Sequence, residues 1–163
     1  MAGIADSAAV SSKPFNNGVH HTVVQVSDLD ASINFYSNGI GLDILSRAVD
    51  GSDYSTLFDT HVSNVSAAFL GDKSRPDDHS GILELAQFGG LYKHGRKPMP
   101  FENGASWFSF LVDVEQTLSR LAKMGLGGQP HTAQVRGETW SSVHDPDGVI
   151  VLLIPQNTSV RAN

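Results

Sequence analysis

The chain reads as an α+β protein built from two tandem βαβββ units. Three observations predict this. A strand, a helix and a group of strands occur in that order within residues 18–88, and the same order returns within residues 107–156. An internal repeat outranks single local assignments, because each copy is one supersecondary unit that must bury its apolar face on a neighbour. Between the copies, residues 89–106 hold Gly89, Gly90, Pro98, Pro100, Asn103 and Gly104, the composition of a linker. Finally, 163 residues with 40% apolar and 17% charged side chains suffice for a packed core at the scale of one domain or two small modules.

The first unit opens at residues 19–26 (VHHTVVQV), whose β-branched content favours a strand. Asp28 is placed to cap a helix in which Leu29, Ile33 and Tyr36 share one face, and Gly39 and Gly41 stop it. Short strands are expected at 42–46, 55–58, 65–70 and 81–88, separated by turn-forming clusters at 50–53 and 71–78. In the second unit residues 107–112 (WFSFLV) form the first strand. Asp113 and Gln116 have capping-box spacing; Val114, Leu118, Leu121 and Met124 make a helical stripe that Gly125, Gly127 and Gly128 end. Strands follow at 134–135 and 139–143, then a turn at 145–148 (DPDG) and the apolar strand 149–154. Residues 1–17 read as a loose tail and 157–163 as a second one.

Composition excludes several classes of function. Eleven Lys and Arg against 17 Asp and Glu give a net charge of -6, which argues against nucleic acid or an anionic membrane surface as partner. The absence of cysteine removes disulfides, thiolate metal sites and a Cys nucleophile together, so a metal site must use His, Asp, Glu or Gln. No apolar run reaches the roughly 18 residues of a membrane span. The Ala-rich start contains Asp6 and lacks the basic and apolar regions of an export signal, so the cytoplasm is the expected location. Asn64-Val65-Ser66 and Asn157-Thr158-Ser159 fit the N-glycosylation pattern, which matters only in a secreted chain.

Three stretches carry a resemblance. The first is HTVVQVSDL at 21–29, with Phe35-Tyr36 and the run GIGL at 39–42. The second is Leu83-Glu84-Leu85, and the third is DPDG at 145–148 ahead of the terminal apolar strand. In order and spacing the chain resembles the vicinal oxygen chelate superfamily, which includes glyoxalase I, the extradiol dioxygenases and the bleomycin resistance proteins, over about residues 19–155. The resemblance implies curved sheets around a cavity, with the first and last strands of each unit lining a cupped half-barrel. It implies also that metal-binding members take one ligand from each of those four strands. The matching positions here are His21, Glu84, Trp107 and Leu152. His21 and Glu84 are the ligands if a metal is bound, but Trp and Leu cannot bind one. The leading expectation is therefore no metal cofactor. The alternative is a divalent metal whose shell His144, His131, Gln25, water or substrate completes.

Strand alternation extends the site. If His21 faces the cavity, so do Val23 and Gln25, while His20, Val24 and Val26 face away. If Glu84 faces it, so do Ile82, Ala86 and Phe88. The same phase presents Trp107, Ser109 and Leu111, and Ile150, Leu152 and Ile154. One wall then carries a His, a Glu and a Gln, and the other is almost wholly apolar. Such a cleft suits a small hydrophobic or aromatic molecule with one polar end. The candidate catalytic residues are His21 and Glu84. The candidate substrate-binding residues are Gln25, Trp107, Ser109, Leu111, Leu152 and Ile154.

Each residue also has a plainer reading. His21 alone is a satisfied strand histidine, and a His21–Glu84 pair is a structural remnant. Glu84 lies in an apolar run at 81–86, where an unpaired carboxylate is costly, so His21 is its natural partner. Trp107 packs or stacks rather than catalyses, and Trp140 belongs to the core or the cavity rim. His131 and His144 are expected near the mouth and the turn. His61, His79 and His94, and Lys93 with the Arg96-Lys97 pair, read as solvated loop and linker groups.

Three functions compete. The first is a metal-independent enzyme, a lyase or isomerase in which His21 is the acid or base and Glu84 orients it. Its chemistry would be proton transfer beside a carbonyl: isomerisation, epimerisation, cyclisation or elimination on a hydrophobic molecule. The second is a non-catalytic binder of drugs or metabolites, like the bleomycin resistance proteins, which Trp107 and the apolar wall favour. The third is a divalent-metal lyase or dioxygenase. Unpaired sheet edges in such units lead to an expected homodimer.

Overall fold

The computed structural model describes residues 19–52, 63–75, 81–89 and 107–158. The tail at 1–17, the strand at 55–58, the linker after Gly89, His61, His79, Lys93, His94 and the Arg96-Lys97 pair lie outside the described residues, as do the ends of the 50–53 and 71–78 clusters and of the C-terminal tail.

Strand β1 (His21–Gln25) leads into helix α1 (Leu29–Ile33). Asp28 caps it from an extended backbone, accepting the Ala31 N–H at 3.0 Å. After Ile33 the chain keeps winding but widens into a π-helical segment (Asn34–Ile40), in which the Gly41 N–H reaches back five residues to the Tyr36 carbonyl. Gly41 closes it at φ 107°, a left-handed conformation that suits glycine. The expected single helix thus changes pitch. One result is that the neighbours Phe35 and Tyr36 are both fully buried, their rings edge to face at 4.9 Å.

Strands β2 (Asp43–Asp50), β3 (Ser63–Gly71) and β4 (Ile82–Gly89) complete the first unit. The second repeats it with β5 (Trp107–Val112), α2 (Val114–Lys123), β6 (Gly127–Val135), β7 (Glu138–His144) and β8 (Ile150–Pro155). Asp113 caps α2 through the Gln116 N–H at 3.0 Å. The sheets have orders β1-β4-β3-β2 and β5-β8-β7-β6. In each, the first and last strands of the unit run parallel and the other neighbours antiparallel. This is the predicted pair of βαβββ units.

The core joins the helix-facing sides of both sheets: Val24, Tyr36 and Leu85 belong to the same cluster as Leu121, Val143, Val151 and Leu153. Polar bonds cross the same junction. The Tyr36 hydroxyl donates to Asp145 Oδ2 at 2.9 Å, and the Ser27 N–H donates to Asp147 Oδ2 at 3.0 Å. Arg120 on α2 donates from Nε to the Gly39 carbonyl at 2.7 Å, satisfying an end of the π-helical segment. Candidate site residues therefore occupy the sheet faces turned away from this core. No helix among the described residues is long and apolar enough to cross a membrane.

Two strands differ from expectation. β2 runs on to Asp50, and β6 starts at Gly127 instead of Gln134. Gly127 and Gly128, read as helix stops, hold positive φ at the start of β6. Both strands are sheet edges and mostly exposed, so no apolar alternation marks them.

Candidate active site

β1 and β4 bring the two candidate catalytic residues together. His21 Nε2 lies 3.2 Å from Glu84 Oε2, with the His21 side chain 35% and the Glu84 side chain 15% exposed. In the parallel ladder His21 pairs with Ile82 and Val23 with Glu84, so the two are diagonal neighbours on one face. Val24 and Val26 are buried on the other face, as the alternation requires. Phe69, opposite Glu84 on β3, sets its ring edge to face against His21 with centroids 6.2 Å apart. The pair thus has an apolar neighbour and partial shelter from water, which strengthens the attraction between its members.

A further contact was not expected. His20 Nδ1 lies 2.7 Å from His21 Nδ1, with the rings at 84°. Alternation placed His20 on the opposite face, but β1 starts only at His21, so the pleat does not constrain His20. Both ring nitrogens of His21 are therefore engaged. The carboxylate accepts Nε2–H, and Nδ1 shares a proton with His20, which fixes the ring's orientation. Gln25 is exposed on the His21 face four residues further along.

On the second sheet Trp107 is 48% and Leu111 57% exposed, and Ser109 is exposed between them. Ser109 pairs with Leu152, which is half-buried, and Leu111 pairs with Ile154, which is buried. These candidate binding residues share one face. That face is less apolar than expected, because β7 and β6 also contribute to it. Ser142 pairs with Leu152 on one side and His131 on the other, and His144 pairs with Ile150. His131 and His144 lie within strands on this open face, His144 directly before the 145–148 turn. Extending the alternation beyond the first and last strands places both on the candidate face and adds Ser142.

The residues do not fit a metal of the kind that the resemblance implies. Its four positions hold two donors, His21 and Glu84, which bond each other, and two non-donors, Trp107 and Leu152. No three His, Asp or Glu side chains converge among the described residues, whereas catalytic zinc sites use three.

Residues 18–153 match the family model described as the Glyoxalase/Bleomycin resistance protein/Dioxygenase superfamily. The chain belongs to this superfamily. It is 37% identical over 145 residues to the lactoylglutathione lyase-like protein terB of Aspergillus terreus, covering 83% of this chain and 74% of that one. It is 27% identical over 146 residues to a lactoylglutathione lyase of Escherichia coli, covering 86% and 94% of the two chains. The glyoxalase I of Leishmania major, described as trypanothione-dependent, superposes with a TM-score of 0.63 at 25% identity over 86% and 88% of the chains. A glyoxalase family protein from Bacillus cereus superposes with a TM-score of 0.67 at 22% identity over 88% and 97%, which speaks for the fold alone. The expectation of an enzyme of the lyase or isomerase type agrees with these superfamily relatives.

Proposed function

We propose that this glyoxalase-superfamily chain is a metal-independent lyase or isomerase that moves a proton beside the carbonyl of a small hydrophobic substrate. The observation that carries the reading is the 3.2 Å pair of His21 and Glu84 beside the Phe69 ring. Glu84 accepts Nε2–H, which leaves Nδ1 of the neutral ring as the proton-accepting nitrogen. A substrate C–H reaches Nδ1 by taking the place of His20. The proton passes from carbon to Nδ1, leaving an enolate. Its return to another carbon or face completes an isomerisation or epimerisation; departure of a leaving group from the neighbouring carbon completes an elimination. Gln25, Trp107, Ser109, Leu111, Leu152 and Ile154 hold the substrate body.

Hydrogen exchange in heavy water tests this before any reaction is known. A panel of aryl and alkyl ketones is followed by NMR for loss of the α-proton. Exchange by the wild type and none by His21→Ala is expected; equal exchange by both contradicts the proposal.

A second reading, a metabolite-binding protein without chemistry, is favoured by the exposure of Trp107 and Leu111. It predicts ligand binding with no exchange, lost in Trp107→Ala because the stacking platform is gone. In either case we expect a homodimer. β1 and β5 are sheet edges, whose unpaired backbone groups a second copy would cover. Light scattering at monomer mass would contradict it. The cytoplasm is the proposed location, in line with a chain that has no cysteine to oxidise.

A further inference from the structure

The outer half of the second sheet carries hydrogen-bonding groups that the proposed chemistry leaves unused. β7 places Trp140, Ser142 and His144 on the open face, and His131 on β6 is the direct cross-strand partner of Ser142. Direct partners stand about 5 Å apart and next-but-one neighbours about 7 Å, so the Ser142–His131 pair sits at the centre with Trp140 and His144 flanking it at the two ends of a row about 13 Å long. None of the four side chains has a hydrogen-bond partner among the described residues. The indole Nε1 of Trp140 is buried and unpaired, a costly state for a donor. β6 changes register between Gly127 and His131, a bulge of the kind that re-aims side chains beside binding sites.

We infer that this patch binds a carboxylate borne by a small aromatic molecule. The indole N–H only donates, and the hydroxyl and the two imidazoles each bring a donor, whereas an ionised carboxylate only accepts. Glu138 shares the face, but its Oε2 already accepts the Thr158 hydroxyl at 2.8 Å. From Ser142 the row continues through Leu152 to Ser109, with Trp107 beside it to take an aromatic ring. The inference rests on the small-molecule part of the proposed function and is independent of its proton transfer.

The test is an NMR titration of the full chain with sodium benzoate, with benzamide as the neutral isostere. The Trp140 indole N–H and the His131 and His144 ring signals should move saturably with benzoate, with millimolar affinity for so small a ligand. Benzamide, His131→Gln and Ser142→Ala should each weaken binding by about tenfold, the size of one lost polar contact. Glu84→Gln should leave it unchanged. Three results overturn the inference: no saturable shift of those signals, an equal response to benzamide, or unchanged affinity in both variants. Movement of both imidazoles by zinc chloride but not by benzoate also overturns it, marking a metal site instead. Failure here with intact α-proton exchange leaves the proton-transfer reading standing, and the converse result leaves this one standing.

Discussion

His21 and Glu84 meet across a diagonal of the β1–β4 ladder, Nε2 to Oε2 at 3.2 Å. Trp107 and Leu152 stand in the same relation in the β5–β8 ladder, where Trp107 pairs with Ile150 and Leu152 lies two residues on. The repeat thus places one polar and one apolar pair at equivalent positions of its two sheets.

If the polar pair transfers protons, His21→Ala and Glu84→Gln should fold and each lose about 100-fold or more in turnover, the usual size of a general acid–base contribution. Thermal melts and steady-state kinetics on the substrate found by exchange check both. Full turnover in His21→Ala contradicts the assignment.

The apolar pair can be converted. Trp107→His with Leu152→Glu adds two donors at the positions matching His21 and Glu84. Calorimetric titration with zinc should show affinity rising by orders of magnitude in the double variant and less in each single one. No gain in a folded double variant refutes the placement of residues 107 and 152. Circular dichroism comes first, because the half-buried Leu152→Glu charge destabilises the metal-free form.

The Tyr36–Asp145 bond across the unit junction predicts a pH dependence. Burial pushes the Asp145 carboxyl above its ordinary value, against the bonds it accepts from the Val149 N–H, the Tyr36 hydroxyl and the Asp147 N–H. Burial and the nearby carboxylates push the Tyr36 hydroxyl far up as well, so it stays a donor. A carboxyl whose folded value is raised contributes stability that is fully present below the unfolded value of about 3.9 and lost as pH rises through the folded one. Relative to Asp145→Asn, wild-type unfolding free energy should therefore fall as pH rises from about 4. Parallel urea-unfolding curves at every pH contradict this. Tyr36→Phe should cost about 1–3 kcal/mol, because it leaves a buried acceptor short of a partner.

Gly39 is where the π-helical segment touches α2. A Cβ there would stand 2.6 Å from Leu121 Cδ2, and Leu121 is only 1% exposed. Gly39→Ala should therefore cost about 1–3 kcal/mol through overpacking. In urea unfolding, Gly39→Ala with Leu121→Ala should be less destabilised than the sum of the single variants, as expected for residues in contact. Strict additivity contradicts the contact.

The parts of the fold legible in the sequence were those with a strong local cause. Asp28 and Asp113 announce their helices by capping chemistry, and the strands at 107–112 and 149–154 by apolar content. The π-helical turn was not legible, because Leu29, Ile33 and Tyr36 suit an ordinary helix equally well. Nor were β6 and the end of β2, whose exposed edge residues need no alternation. At the site, the resemblance located His21 and Glu84, and the cost of an unpaired Glu84 predicted their contact. The His20 contact is not legible, because His20 lies just outside β1, where the pleat does not set its direction. His131 and His144 are singled out by the sequence, but their shared face with Ser142 is not legible, because the phase of β6 and β7 is set by pairing outward from β8.

The central claim, a two-donor site that works without a metal, is tested most directly by the metal content of the full chain purified without a His-tag. Two protein ligands leave an incomplete shell. Elemental analysis should therefore find zinc, nickel and iron far below one per chain. One tightly held metal per chain would contradict the account.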